Sequence, residues 1–500
     1  MNLVEPLLQY AAEQPNKIAL SDGLRCQTYS VLVQKIRKIA QGIRVKGLTH
    51  DNIAILSSNR MEFVEVFLGT IYAGCVPIPI DPKWSSQEIN LIIHQCKPKM
   101  IFSETVLTNK LVLPDSTIHL ITFSDKDAGS YDHWLHTLTS EAEMDGSNEL
   151  LFIGFTSGTT GLPKGYMRTH SSWMNSFKAT SEAFQFINLD HILAPCPFVH
   201  SLTLFALMQS LFNGSTFHIV KEFKADCILQ LCQKIPDIIL FVVPTMVESL
   251  MQQGLQDGIH IQAIISSGGS WTNDSKIRCS KLYSGAKLYE FYGSSEASYI
   301  TYIDIQNDHK FNSVGKPFSG VQISIRDEHF QPVPTGVIGQ LYIRSNMIFS
   351  GYYQLPEATT AAFRNGWLVT GDYMYTDEEG YLYMAGRAHN RIVSGGLNIY
   401  PEEIESVLLQ IEEIQEVMVL GIDDEYWGEQ VVALVKWSGN QRLSLENIKK
   451  NCRLHLASYK APKEIMTVDQ FIYTSSGKIA RQAMKEYAKR LKEYTKRVDI

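Results

Sequence analysis

A chain of 500 residues, 45% hydrophobic and 19% charged, is too long for one core and too apolar to stay disordered. At about 150 residues per domain it divides into roughly three lobes. With 45 basic against 52 acidic side chains the net charge is −7, which argues against nucleic acid as the main partner, because phosphate backbones call for a basic surface.

The opening MNLVEPLLQYAAEQP holds Glu5 and Glu13 and no basic run, so it does not read as a signal peptide. Leu32, Ile36, Ile39 and Ile43 recur at helical spacing and predict an amphipathic helix. NIAILSS predicts a strand, MEFVEVFLGTIYAG a helix, CVPIPID a strand, SSQEINLIIHQCKP a helix capped by Ser85 or Ser86, and KMIFSE a strand. Such alternation implies crossover units and a mainly parallel sheet. The polar stretch 125–148 reads as a connecting surface segment. Neither FLGTIYAG, preceded by Glu65, nor DIILFVV, stopped by Pro244, reaches the roughly 20 apolar residues of a membrane span.

After residue 310 the chain turns to short β-rich pieces, VQISIRDEHFQPVPTGVIGQLYIRS and GYLYMAGRAHNRIVSGG, separated by Gly and Pro turns. From Pro401, PEEIESVLLQIEEI predicts a helix, EVMVLGIDD and EQVVALVKW strands, and LSLENIKKNCRLHL a helix. This is an α+β unit of about a hundred residues, with its boundary between Arg387 and Asn390. The tail KEYAKRLKEYTKRVDI predicts a solvated helix. The 8 cysteines form no CxxC pair, as expected of free thiols in a reducing cytoplasm.

The strongest local signal is ELLFIGF running into TSGTTGLPKG, residues 156–165. A buried strand launches a loop of glycines and hydroxyls that ends on Lys164. Such a loop can turn N–H groups and hydroxyls around an anion while the lysine adds a mobile charge. A flexible linker of the same composition would not be launched from a buried strand. The loop is not GxxxxGK[ST], because Pro163 and Gly165 stand where that motif needs glycine and a hydroxyl.

FTSGTTGLPKG resembles the phosphate loop of the adenylate-forming superfamily, which includes acyl- and aryl-CoA synthetases, peptide-synthetase adenylation domains and luciferases. FYGSSEAS (291–298), TGD (370–372), GRAHNRIVSGGLNIYPEEIE (386–405) and TSSGKIAR (474–481) resemble its further motifs, in family order. The resemblance implies an α/β fold. A large N-terminal body, residues 1–386, would have two parallel-type sheets and a small β-barrel-like lobe. A hinge at 387–390 would join it to a smaller, mobile α+β C-terminal domain, 391–500.

It also implies ATP, Mg²⁺ and coenzyme A. Thr156, Ser157, Gly158, Thr159, Thr160, Gly161 and Lys164 would hold the β- and γ-phosphates. Glu296 would ligate the magnesium, and Ser295, in place of the family's threonine, would keep a phosphate contact. Tyr292 would stack on adenine, with Gly268, Gly269 and Gly293 lining the base. Asp372 would accept the ribose hydroxyls and Arg387 add a polar contact. Lys478 would neutralise the charge that grows as acid and α-phosphate join, so Lys478, Glu296 and Lys164 are the catalytic candidates. His389 falls at the hinge, where family members carry Asp or Lys. Gly395 and Gly396 would line the pantetheine path.

CPFVHSLTLF lacks the aspartate with which amino-acid-activating members pair an ammonium, and an unpaired buried ammonium is costly. PFVH resembles acyl- and aryl-CoA ligases, where Val199 and His200 would line the acid pocket; a plain core histidine is the alternative for His200. The sequence thus points to a ligase joining a small carboxylic acid to coenzyme A. The runner-up acceptor is a phosphopantetheine carrier protein. A catalytically degenerate nucleotide sensor would have lost Lys478, Glu296 or Asp372, and all three are present. The acid and the oligomeric state are left open.

Overall fold

The computed structural model describes every residue except 1, 114–116, 124–128, 139–140, 157–162, 187, 255–257, 270, 311, 388–389, 395–396, 425–426, 440, 475–477 and 499–500. Near the N-terminus, strands Val76–Ile80, Asn52–Leu56, Met100–Glu104 and His119–Phe123 form a four-stranded, wholly parallel sheet in that order. Two of its crossovers are the predicted helices, Met61–Tyr72 and Ser86–Cys96, and the third is a short 3-10 turn, Thr105–Lys110, that was not predicted. Ser86–Cys96 starts on a full capping box, in which Ser85 and Glu88 satisfy each other's backbone N–H.

The nine-stranded sheet is parallel through its centre and antiparallel at both ends. Its strands Ile261–Ser266 and Lys287–Ser294 lead into 268–269 and 292–296, so two of the predicted motifs leave adjacent carboxyl ends of one sheet. Ligands favour that edge of α/β sheets. Between the two sheets, Leu150–Thr156, Lys164–Thr169 and Gly351–Tyr352 make a small antiparallel sheet. A five-stranded antiparallel sheet spans residues 322–387.

The C-terminal sheet alternates its side chains between two cores, as a strand's twofold period requires. Val417, Val419, Val431, Ala433 and Val435 pack with Ile404 and Leu408 of helix Pro401–Leu408 and Ile448 of helix Leu445–His455. Met418, Leu420, Ile422, Val432 and Leu434 face Met484 and Ala488 of the terminal helix Arg481–Val498. That helix is therefore anchored along one face, where the sequence predicted a solvated one.

Two more expectations change. The helix at 401 stops at Leu408, and Ile414 already begins a strand. Within 125–148 a short helix, Tyr131–Thr137, is capped by Ser130 and buries Tyr131, whose hydroxyl donates to the fully buried Glu65 at 2.5 Å. That stretch is thus partly core. Its polar sequence hides the fact because the burial rests on two aromatics, Tyr131 and Trp134, packed on Phe102.

Candidate active site

Pairing of Leu150–Thr156 with Lys164–Thr169 ends at Thr156 opposite Lys164, so two strands hold the ends of the glycine-rich loop in fixed register. Ser157, Gly158, Thr159, Thr160 and Gly161 lie outside the described residues, as do His389, Gly395 and Gly396. The Lys164 ammonium stands 5.5 Å over the ring of Tyr352, the residue paired with Tyr166 on the neighbouring strand. Tyr352 donates its hydroxyl to Glu296 Oε1 at 3.0 Å; burial and that carboxylate push its pKa upward. One aromatic side chain thus separates the loop lysine from the candidate metal carboxylate.

Ser295 and His200 are tied together as well. The Ser295 hydroxyl lies 2.9 Å from that of Ser201, which lies 2.8 Å from Tyr166 Oη. Ser201 opens helix Ser201–Phe212, with His200 at its N-cap position. Asn59 clamps the turn before it, donating to Cys196 O at 2.9 Å and accepting from Phe198 N at 2.8 Å. Val199 is buried. The His200 ring points Nε2 at Asp81 Oδ2, 3.9 Å away, and neither atom has a hydrogen bond among the described residues. Burial lowers the His200 pKa, while Asp81 opposes that shift. The segment 195–204 itself carries no acid, yet the fold brings one to its histidine from the end of a different strand.

Asp372 is buried and opposes Arg387 across antiparallel strands, with Oδ1 3.1 Å from Arg387 Nε. Its Oδ2 accepts from the Tyr292 hydroxyl. Burial, followed by the neighbouring carboxylate, pushes the Tyr292 phenol pKa well up. Gly293 sits at a register shift where a Cβ would meet Ser298 O at 2.1 Å; only glycine fits. Gly268 has φ +87°, a left-handed backbone that favours glycine. Its neighbour Gly269 packs near Pro244.

Lys478 comes from the other end of the chain. Two hydrogen bonds join Thr474 and Lys478, Thr474 N donating to Lys478 O at 2.7 Å and Lys478 N donating to Thr474 Oγ1 at 3.2 Å. A Cβ placed on Gly268 would lie 3.9 Å from Lys478 Cε. Although part of the side chain faces solvent, crowding around it and the charge of Arg387 lower the Lys478 pKa, and Asp372 opposes the shift. His200 also feels the lysine's charge.

Lys164, Glu296, Ser295, Tyr292, Asp372, Arg387, Gly268, His200 and Lys478 therefore belong to connected groups of neighbouring residues. Tyr352, Asp81 and Ser201 are site neighbours that sequence reasoning missed. Only pairing between distant strands brings them there, and no local motif marks them. Glu296 is a single carboxylate, and the described residues contain no group of three His, Cys, Asp or Glu able to hold a metal. One carboxylate suits a magnesium held mostly by phosphate and water oxygens, and would not serve an ion caged by protein alone.

Residues of the multi-lobed body thus meet a lysine of the separate C-terminal domain, the arrangement of an enzyme in two parts. Comparison with known proteins makes this specific. Residues 7–353 match the AMP-binding enzyme family and residues 403–478 the AMP-binding enzyme C-terminal domain; the chain belongs to the AMP-binding enzyme family. It is 34% identical over 99% of its length to an uncharacterized acyl–CoA ligase, YhfT, of Bacillus subtilis (strain 168), covering 100% of that protein. It is 29% identical over 96% of its length to a 2-succinylbenzoate–CoA ligase of Geobacillus sp. (strain WCH70), of which it covers 96%. Among solved structures, ATP-bound MatB from Rhodopseudomonas palustris superposes with a TM-score of 0.89 at 25% identity, over 98% of this chain and 100% of that one. The o-succinylbenzoate CoA synthetase MenE from Bacillus subtilis, in complex with its acyl-adenylate intermediate OSB-AMP, gives 0.84 at 25% identity, over 96% and 97%.

Proposed function

We propose that the protein is an acid–thiol ligase that uses ATP to activate a carboxylic acid and then passes the acyl group to coenzyme A. A carboxylate oxygen attacks the α-phosphorus, and the bond to the β-phosphate bridging oxygen breaks. Pyrophosphate leaves with that electron pair. The thiol sulfur of coenzyme A then attacks the acyl carbon of the adenylate, the thiol proton is lost, and AMP leaves.

The observation that carries this reading is the position of Lys478, beside Gly268 and within electrostatic reach of Asp372, Arg387 and His200. There an ammonium shares its field with both the proposed ribose carboxylate and the proposed acid pocket, where two anions must approach each other. Preorganised positive charge at that point stabilises the transition state more than the separated reactants. Lys164 and the hydroxyls of 156–160 take the β- and γ-phosphates, and Asp372, fixed by Arg387 and Tyr292, takes the ribose. Tyr292 and Gly268, Gly269 and Gly293 take the base. Bound to the triphosphate through Glu296, magnesium would neutralise phosphate charge as pyrophosphate forms.

Val199 and His200 line the acid site. Residues 1–386 act as the body, 387–390 with His389 as the hinge, and 391–500 as the cap. The cap's Gly395 and Gly396 meet the pantetheine chain once Lys478 has been rotated out. The relatives' names as CoA ligases support coenzyme A as the acceptor over a carrier protein.

A pyrophosphate-release screen over aliphatic, aryl and amino acids tests the reading, followed by thioester assay of each active acid with coenzyme A. Acid-dependent pyrophosphate release with aliphatic or aryl acids, followed by thioester formation, is expected. No release with any acid would overturn it.

A further inference from the structure

Four positions after Lys164, on the same strand, lies a second cation with a different environment. Arg168 is 1% exposed, the largest fully buried side chain among the described residues. A buried guanidinium normally has a carboxylate partner, because burying a charge alone is costly. Arg168 instead donates to three carbonyl oxygens: Ser295 O at 3.3 Å, Glu296 O at 3.4 Å and Met347 O at 2.5 Å. Its Nε has no hydrogen bond among the described residues. Burial lowers its pKa to about 10, with Tyr166 and Glu296 opposing, so it is a cation at neutral pH.

The backbone it grips is the turn that carries Ser295 and Glu296. The same carbonyl of Glu296 also accepts from Phe349 N at 2.7 Å. Glu296 is thus held at its carbonyl by Arg168 and at its carboxylate by Tyr352. Both come from the small sheet that carries Lys164.

We propose that Arg168 is a positioning residue for nucleotide activation: by fixing the carbonyls of Ser295 and Glu296 it sets where the Glu296 carboxylate and the Ser295 hydroxyl stand against the triphosphate and its magnesium. The inference rests on the reading of residues 295–296 as the triphosphate and metal segment. It makes one rigid unit of the loop strand and that segment, so that Lys164 and Glu296 approach the phosphates at a fixed separation.

The test compares Arg168→Met and Arg168→Lys with wild type in the full-length protein. ATP affinity is measured calorimetrically without any acid, with and without Mg²⁺. In Arg168→Met, ATP binding with Mg²⁺ should weaken about tenfold, as expected for lost charge-assisted hydrogen bonds, and binding without Mg²⁺ by less than about twofold. Arg168→Lys, which keeps the charge but not the fork of donors, should fall between. Thioester formation from presynthesised acyl-adenylate should stay near wild type in both.

Equal weakening with and without Mg²⁺, or equal losses in the two half-reactions, would reduce Arg168 to a packing residue and overturn the proposal. So would wild-type ATP binding indifferent to Mg²⁺. If Arg168→Met does not fold by circular dichroism, the same comparison on Arg168→Lys decides. Failure of the wild type to release pyrophosphate with any acid would overturn the activity itself. That outcome is distinct, because the binding measurement contains no acid.

Discussion

Asp372 and Arg387 face each other as paired residues on adjacent antiparallel strands, carboxylate oxygen 3.1 Å from guanidinium nitrogen. Arg387 ends its strand, and the proposed hinge begins there. The proposed ribose carboxylate is thus held by the first residue of the proposed hinge. Just past that point Asn390 donates to Glu402 Oε1 at 2.5 Å, and Tyr373 packs on Tyr400 with ring centroids 5.1 Å apart. The proposed nucleotide contact at Asp372 and the contacts at the proposed hinge therefore lie on adjacent residues.

Replacing Asp372 with Asn keeps the size but removes the charge that Arg387 and Tyr292 hold. The variant should raise the KM for ATP about tenfold or more, with a smaller effect on the KM for the acid, because it removes the charge and one of the two oxygens that would accept the ribose hydroxyls. Steady-state kinetics with each substrate varied in turn checks this. A KM for ATP within about twofold of wild type would remove Asp372 from the nucleotide site.

His200 should behave in the opposite way. Replacing it with Ala would open the proposed acid pocket and remove the partner facing Asp81 3.9 Å away. The expected result is a changed preference among acids of different size, with the KM for ATP nearly constant. An unchanged acid profile would return His200 to the status of a core histidine.

Much of this was legible in the sequence, and the division has a physical basis. The parallel lobe could be read because each strand and helix there is a local pattern, and the Ser85 capping box is a local motif. The loop could be read from its glycines and hydroxyls following an apolar strand, and the segments 291–298 and 370–372 from their resemblance to family motifs. At Gly293 the local constraint is visible, since a Cβ there would meet Ser298 O at 2.1 Å. Arg168, Tyr352 and Asp81 could not be read. Each acts on a residue far away in the chain, and nothing in KGYMRT, GYY or PIDP announces that partner. The helix Tyr131–Thr137 was missed for the same reason: its apolar contacts lie on other elements.

Acid stability provides a prediction away from the site. His170 is buried and accepts from Leu3 N at Nδ1 across 3.2 Å, and burial lowers its pKa from 6.5 to about 4. His218 is likewise lowered to about 4 by burial. A histidine depressed in the folded state binds its proton first in the unfolded state. Stability conferred by these groups is therefore intact above pH 6.5 and is lost as pH falls toward 4. Chemical unfolding across that window should show stability rising with pH, and His170→Asn should flatten the slope. An unaltered slope in the variant would mean that His170 does not carry the acid sensitivity.

The buried pair of Tyr131 and Glu65 should matter to folding alone. Tyr131→Phe leaves Glu65 with Lys35, 2.7 Å away, and should cost about 1.5–3 kcal/mol, the range for a hydrogen bond to a charged group. Denaturant melts measure the loss. Pyrophosphate release by the folded fraction should be unchanged.

In the proposed reaction Lys478 supplies charge to adenylate formation and not to ATP capture or thioester formation. The direct measurement is Lys478→Ala with the half-reactions separated. Acid-dependent pyrophosphate release should fall by about a hundredfold or more, as when one preorganised electrostatic group is removed from a transition state. ATP binding and thioester formation from presynthesised acyl-adenylate should remain close to wild type. Unchanged pyrophosphate release, or an equal loss in both half-reactions, would contradict the account.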